Sequence, residues 1–117
     1  VTRSIVPRLA DIIEAVERIR FVTAGRTIAD FKADWQAQWV VERGVEILSE
    51  ASRHLPEDLK FRHPDVPWKK IAGIGNVIRH DYQRVSPAIL WELAENHLAQ
   101  LDDVCRAELA IAEAQEP

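Results

Sequence analysis

The sequence predicts an all-α protein, an up-and-down bundle of three long helices with one or two short ones. Apolar residues recur at three- and four-residue steps along most of its 117 residues, which is the period of a helix with one buried face. No segment alternates convincingly at the two-residue period of a half-buried strand. Proline and glycine gather at a few points between the periodic stretches, where short connections belong. The length fits one domain spanning residues 1–117, with room for a single modest core.

The first long helix is carried by Ile5, Leu9, Ile12, Ile13, Val16, Ile19 and Val22. Pro7 is tolerable there only in a first turn, and Gly25 is the candidate C-terminal stop. Thr27 with Asp30 restarts the chain as an N-cap pair, with a short helix or bend expected near Phe31. A second long helix is expected from about Asp34 to His54. A short turn of helix follows Pro56. Pro64 and Pro67 then force an extended stretch. The next helix is expected from about Trp68 to Tyr82. Ser86 and Pro87 give an N-cap with proline at the first helical position. One last helix is expected to carry Ile89, Leu90, Leu93, Leu98, Leu101, Val104, Cys105 and Leu109. The four tryptophans, Trp35, Trp39, Trp68 and Trp91, are expected to be large core or interface residues.

Composition removes several classes. Net charge is −4, so no global basic footprint marks a nucleic-acid binder, and RNA would have to meet a local patch. "DLKFRH" with Lys69 and Lys70 is one modest basic region. No apolar run approaches the roughly 18 residues of a membrane span, and no signal peptide opens the chain, so a cytoplasmic protein without a membrane partner is expected. The lone Cys105 cannot form an internal disulfide and is expected to be a small buried apolar residue. His54, His63, His80 and His97 are scattered, with no metal-ligand spacing, so neither metal nor cofactor is expected.

One stretch departs from this pattern. "IAGIGNVIRHDYQRVSP" opens as a helix yet carries Gly73 and Gly75, just before Asn76, Arg79, His80, Asp81 and Tyr82. Each glycine costs about 1 kcal/mol against alanine inside a helix. A packed neighbouring helix, a symmetry mate or a ligand close to the backbone would each account for them. Helical spacing puts Gly73, Asn76 and His80 on one stripe. Histidine can exchange a proton near neutrality, and the arginine fork suits phosphate. RNA cleavage needs a base for the 2′-hydroxyl and a cation for the crowded phosphorane, which His80 and Arg79 can supply without metal. Asn76 could orient His80. A solvated helix end is the plainer reading of the same residues.

Three segments, "LADIIEAVERIRFVTAGRT", "FKADWQAQWVVERGVEILSEASRHLP" and "HPDVPWKKIAGIGNVIRHDYQRVSPAILWELAENHLAQL", resemble the HepT-like branch of the HEPN superfamily. "VPWKKIAG", "RHDYQRV" and "ILW" are the most specific pieces. The resemblance implies an all-α homodimer with the motif helices facing one another across a cleft. It also implies a ribonuclease toxin with a minimal nucleotidyltransferase as antitoxin. The family motif, an arginine, four to six residues, His, any residue and Tyr, maps its histidine to His80 and its tyrosine to Tyr82. Tyr82 would be the residue to which such a transferase attaches AMP, and Asn76 matches the polar residue after the motif arginine. The arginine is absent, because the spacing falls on Gly75 or Gly73. Arg79, adjacent to His80, does not occupy the place of that arginine, and the candidate catalytic set is His80, Arg79 and Asn76, with Arg84, Lys69 and Lys70 as candidates for phosphate. The alternative is a catalytically impaired dimer that binds RNA, nucleotide or the transferase without cutting.

Overall fold

The computed structural model describes residues 4–81, 83 and 85–115. Among them lie seven helices: α1 Val6–Thr23, α2 Ile28–Lys32, α3 Trp35–Arg53, α4 Glu57–Arg62, α5 Trp68–His80, α6 Pro87–Asn96 and α7 Leu98–Gln115. No strand occurs among the described residues, so the helical bundle stands as read.

The boundaries follow local chemistry. Pro7 sits in the first turn of α1, where its missing N–H costs nothing. Beyond its end Gly25 takes φ 72°, a left-handed conformation that glycine adopts without a Cβ penalty. Thr27 and Asp30 form a reciprocal capping box on α2. Asp34 caps α3 by accepting from the Ala37 N–H, and its other oxygen takes Arg26 at 2.9 Å. Ser86 accepts from the Ile89 N–H, and Pro87 opens α6.

The expected single last helix is two. His97 interrupts it between α6 and α7, with its ring 3.4 Å from Glu92 and 3.3 Å from Lys70 Nζ. The break lets α6 pack against α2 while α7 packs against α1. The principal packing order is α5, α3, α1, α7. Leu9, Ile12, Val16 and Ile19 of α1 meet Val41 and Leu48 of α3 and Leu98, Leu101 and Cys105 of α7 in a fully buried core. Phe31 is buried with its ring 5.4 Å from that of Trp91.

The tryptophans divide. Trp91 and Trp68 are half-buried, and Trp68 donates its indole N–H to the His63 carbonyl. Trp35 and Trp39 are 58% and 65% exposed and meet edge-to-face at 4.9 Å, so they are not core residues of a single chain. Two carboxylates are buried on α7. Asp102 takes Arg106 at 3.0 Å and Arg20 at 3.4 Å. Glu108 takes Arg62 at 2.8 Å and His63 at 2.7 Å, tying α7 to the end of α4. No helix among the described residues is long and apolar enough to cross a membrane.

Candidate active site on α5

The two glycines of α5 have opposite surroundings, because residues two apart on a helix point about 200° apart. Gly75, with Ile71 and Ile78, lies on the buried face against α3. A Cβ there would meet Cβ and Oγ of Ser49 inside contact distance. Gly73 lies on the open face, where a Cβ would find nothing within 4 Å. The glycine that permits close approach therefore serves packing within one chain, not a cleft. Ser49 Oγ donates to the Ala72 carbonyl at 3.1 Å, and Arg53 donates to the same oxygen at 3.3 Å. These two bonds close the α3–α5 seam around Gly75.

Lys69, Gly73, Asn76 and His80 are all exposed and fall on one stripe along the outside of α5. Arg79 sits about 100° round from His80 and leans the other way. Its guanidinium donates to Glu50 Oε2 at 3.3 Å, while Glu50 Oε1 lies 3.2 Å from His54 Nε2. The His54 hydrogen bond, with the charges of Arg79, His54 and Arg53, holds the Glu50 carboxyl below its ordinary value of 4.5 against a smaller opposing effect of burial. Among the described residues the Arg79 contact is single-point.

The structure thus keeps His80 and Asn76 on one exposed stripe and draws Arg79 toward α3. Asn76 makes no hydrogen bond to the His80 ring among the described residues, so its expected orienting contact is not formed in the free chain. Lys70 turns toward α6 and pairs with Glu92 at 3.3 Å. Lys69 stays on the His80 stripe and forms no ion pair among the described residues. Tyr82 and Arg84 lie outside the described residues. Among the described residues no three His, Cys, Asp or Glu side chains converge as a metal cradle. His54, His63 and His97 each sit on a different carboxylate.

Sequence reasoning missed Glu50, His54 and Ser49. Each sits on the α3 flank nearest α5, and only the crossing of the two helices reveals that position. The available signal was "LSEAS" itself, two serines and an alanine among the apolar residues that α3 buries, with Glu50 one turn before His54.

The class the structure defines is an all-α bundle with an exposed histidine at the end of a polar helix stripe and an arginine beside it. The ribonuclease HepT-like family matches residues 12–108, and the chain belongs to that family. A protein of Thermococcus cleftensis named "Probable ribonuclease HepT" is 36% identical over 93 residues, covering 80% of this chain and 84% of its own. A protein of Methanocaldococcus jannaschii that carries an RNase name is 34% identical over 88 residues, covering 75% and 73%. Another with an RNase name, from Caldanaerobacter subterraneus subsp. tengcongensis, is 31% identical over 96 residues, covering 82% and 86%. No solved structure matches the chain at a significant level.

Proposed function

We propose that the chain is the toxin of a toxin–antitoxin pair, a cytoplasmic, metal-independent RNA endonuclease acting as a homodimer. The observation that carries this reading is the exposed α5 stripe with His80 at its end, in a chain of the ribonuclease HepT-like family. His80 takes the proton of a ribose 2′-hydroxyl. The 2′-oxygen attacks the adjacent phosphorus as the P–O5′ bond breaks, the 5′-oxygen takes a proton from water, and His80 then returns its proton to solvent. The products are a 2′,3′-cyclic phosphate and a 5′-hydroxyl. Arg79 and, in the same role, Arg84 bear on the negative phosphorane, and Asn76 orients His80 or the substrate once RNA is bound. Catalytic hydrogen bonds that are open in a free enzyme commonly close in the complex.

Homodimer formation is supported by apolar surface that a single chain leaves bare. A groove of about 520 Å³ runs between α1 and α3, walled by Trp39, Val40, Gly44 and Ile47. Trp39 also borders a hollow next to Ile78 of α5. A second copy seated there lies alongside the motif helix. A minimal nucleotidyltransferase is the proposed antitoxin. It silences the toxin by transferring AMP to Tyr82, the phenolic oxygen displacing pyrophosphate from ATP.

A specific observation favours a second reading, a dimer that binds RNA, nucleotide or the transferase without cutting. Gly75, at one position of the missing motif arginine, is packed on Ser49, and Arg79 is held by Glu50. Incubation of bulk RNA in EDTA with the wild type and with His80→Ala separates the two. Cleavage that depends on His80 supports the nuclease, and no cleavage at high protein concentration leaves the binding reading. Intact-mass spectrometry after co-expression with the transferase tests Tyr82, where an unchanged mass refutes AMP transfer.

A further inference from the structure

The α4–α5 corner carries a second feature on the same side of the chemistry. Val66, Pro67 and Trp68 wall a groove of about 500 Å³, within the size range of small-ligand sites. Lys60, Lys69 and Lys70 border it, with Glu57 the one carboxylate in its lining. Phe61, 87% exposed, is not itself part of the lining but follows Lys60, which is, in the sequence of α4. Glu57, Lys60 and Phe61 are spaced i, i+3 and i+4 on α4, so the phenyl ring shares the face that borders the groove. The Lys60 stem is packed, with its ammonium 3.7 Å from Glu57.

The groove meets the α5 stripe at Lys69. Lys69 belongs both to its lining and to the exposed stripe of Gly73, Asn76 and His80. Gly73 leaves the middle of that stripe without a side chain, so a strand can lie against the helix backbone. From Lys69 to His80 is eleven residues, about 16 Å of helix. At a stacked rise of about 3.4 Å per nucleotide that spans about five nucleotides, and fewer in an extended strand. An exposed aromatic ring beside unspent lysine charge is the arrangement that holds single-stranded nucleic acid, by base stacking and phosphate contact.

We propose that the α4–α5 groove, with Phe61 as stacking platform and Lys69 as phosphate contact, is a subsite for an unpaired base of an RNA strand that runs along α5 to His80. The proposal rests on RNA being the ligand of the α5 site, though not on its being cut. Phe21 provides the control. It is 88% exposed on α1 and borders neither the groove nor the stripe.

The test measures binding of a fluorescein-labelled single-stranded RNA decamer, by anisotropy, in the full-length His80→Ala protein at low salt. Phe61→Ala is expected to weaken binding about five- to hundredfold, the range for one base–aromatic stack. Lys69→Gln weakens it and lowers the salt dependence by about one phosphate contact. Phe21→Ala changes neither, and a duplex of the same sequence is indifferent to Phe61→Ala because its bases stay paired. Phe61 is exposed, so an unchanged melting temperature confirms that the variant folds. Equal decamer affinity in the Phe61→Ala protein and its parent overturns the subsite, as does absence of RNA binding by the parent. It is equally overturned if Phe61→Ala impairs only capture of the transferase. Cleavage by wild type that is indifferent to Phe61 retains the nuclease and rejects the subsite. Phe61-dependent binding without cleavage does the reverse.

Discussion

Replacing each glycine of α5 by alanine should shift stability in opposite directions. Alanine is favoured over glycine in a helix interior by about 1 kcal/mol. At Gly73 nothing opposes that gain, because a Cβ meets no atom within 4 Å, so Gly73→Ala should stabilise by about 0.5–1 kcal/mol. At Gly75 the added carbon falls well inside contact distance of Cβ and Oγ of Ser49. The Ser49 Cβ cannot rotate away, so α3 and α5 must move apart and strain the bonds to the Ala72 carbonyl. Overpacking of this kind costs about 1–3 kcal/mol. Set against the propensity gain, Gly75→Ala should destabilise by up to about 2 kcal/mol. At about 4–8 °C per kcal/mol for a small domain, the two variants should melt roughly 10 °C apart. Denaturant or thermal melts read this directly. Gly75→Arg, which restores the family motif in sequence, should be less stable still. Ser49→Gly removes the obstacle, so Ser49→Gly with Gly75→Ala should show a coupling of about 1 kcal/mol or more in a double-mutant cycle. Gly75→Ala melting at or above the temperature of Gly73→Ala would refute the packing argument.

Other outcomes follow from the charge network. The Arg62 and His63 hydrogen bonds hold the Glu108 carboxyl below its ordinary value of 4.5 against the opposing effect of burial. A carboxyl depressed on folding stabilises the fold above its unfolded pKa and loses that contribution as pH falls through the folded value. Stability should therefore drop as pH falls below about 4.5, and Glu108→Gln should flatten that part of the curve while costing roughly 1–3 kcal/mol at pH 7. An unchanged acid limb would contradict the linkage. For Glu50, His54→Ala should raise the carboxyl pKa toward 4.5, followed by carboxyl-detected NMR titration, and no change would exclude the His54 hydrogen bond as its main cause. Burial, with Asp102 and Glu108 nearby, pushes the Cys105 thiol up to about 12. Native protein should leave a thiol reagent unreacted at pH 8 until denaturant is added, whereas full labelling within the mixing time would contradict that environment.

Much of the fold was legible because amphipathic periodicity and caps act locally. The Thr27–Asp30 capping box, the Asp34 and Ser86 caps and the left-handed Gly25 all lie where the sequence placed a start or stop. Neighbours distant in sequence were less legible. His97 breaks one apolar stripe into α6 and α7 through contacts with Glu92 and Lys70, which a heptad count does not register. Asp102 and Glu108 are buried although acids favour the surface, because arginines from other elements reach them, and no local pattern marks that pairing. The α5 stripe could be drawn from spacing alone. That Gly75 faces Ser49 while Gly73 faces open space could not, since it depends on which side of α5 the crossing helix takes.

Cleavage of a defined single-stranded RNA in EDTA, comparing wild type with His80→Ala, tests the central claim most directly. His80-dependent transesterification requires fragments ending in 2′,3′-cyclic phosphate and 5′-hydroxyl, with a rate that falls at least about a hundredfold in the variant. Equal cleavage by the two proteins, or none by wild type at high concentration, would contradict His80 as the proton-transfer group of an RNA endonuclease.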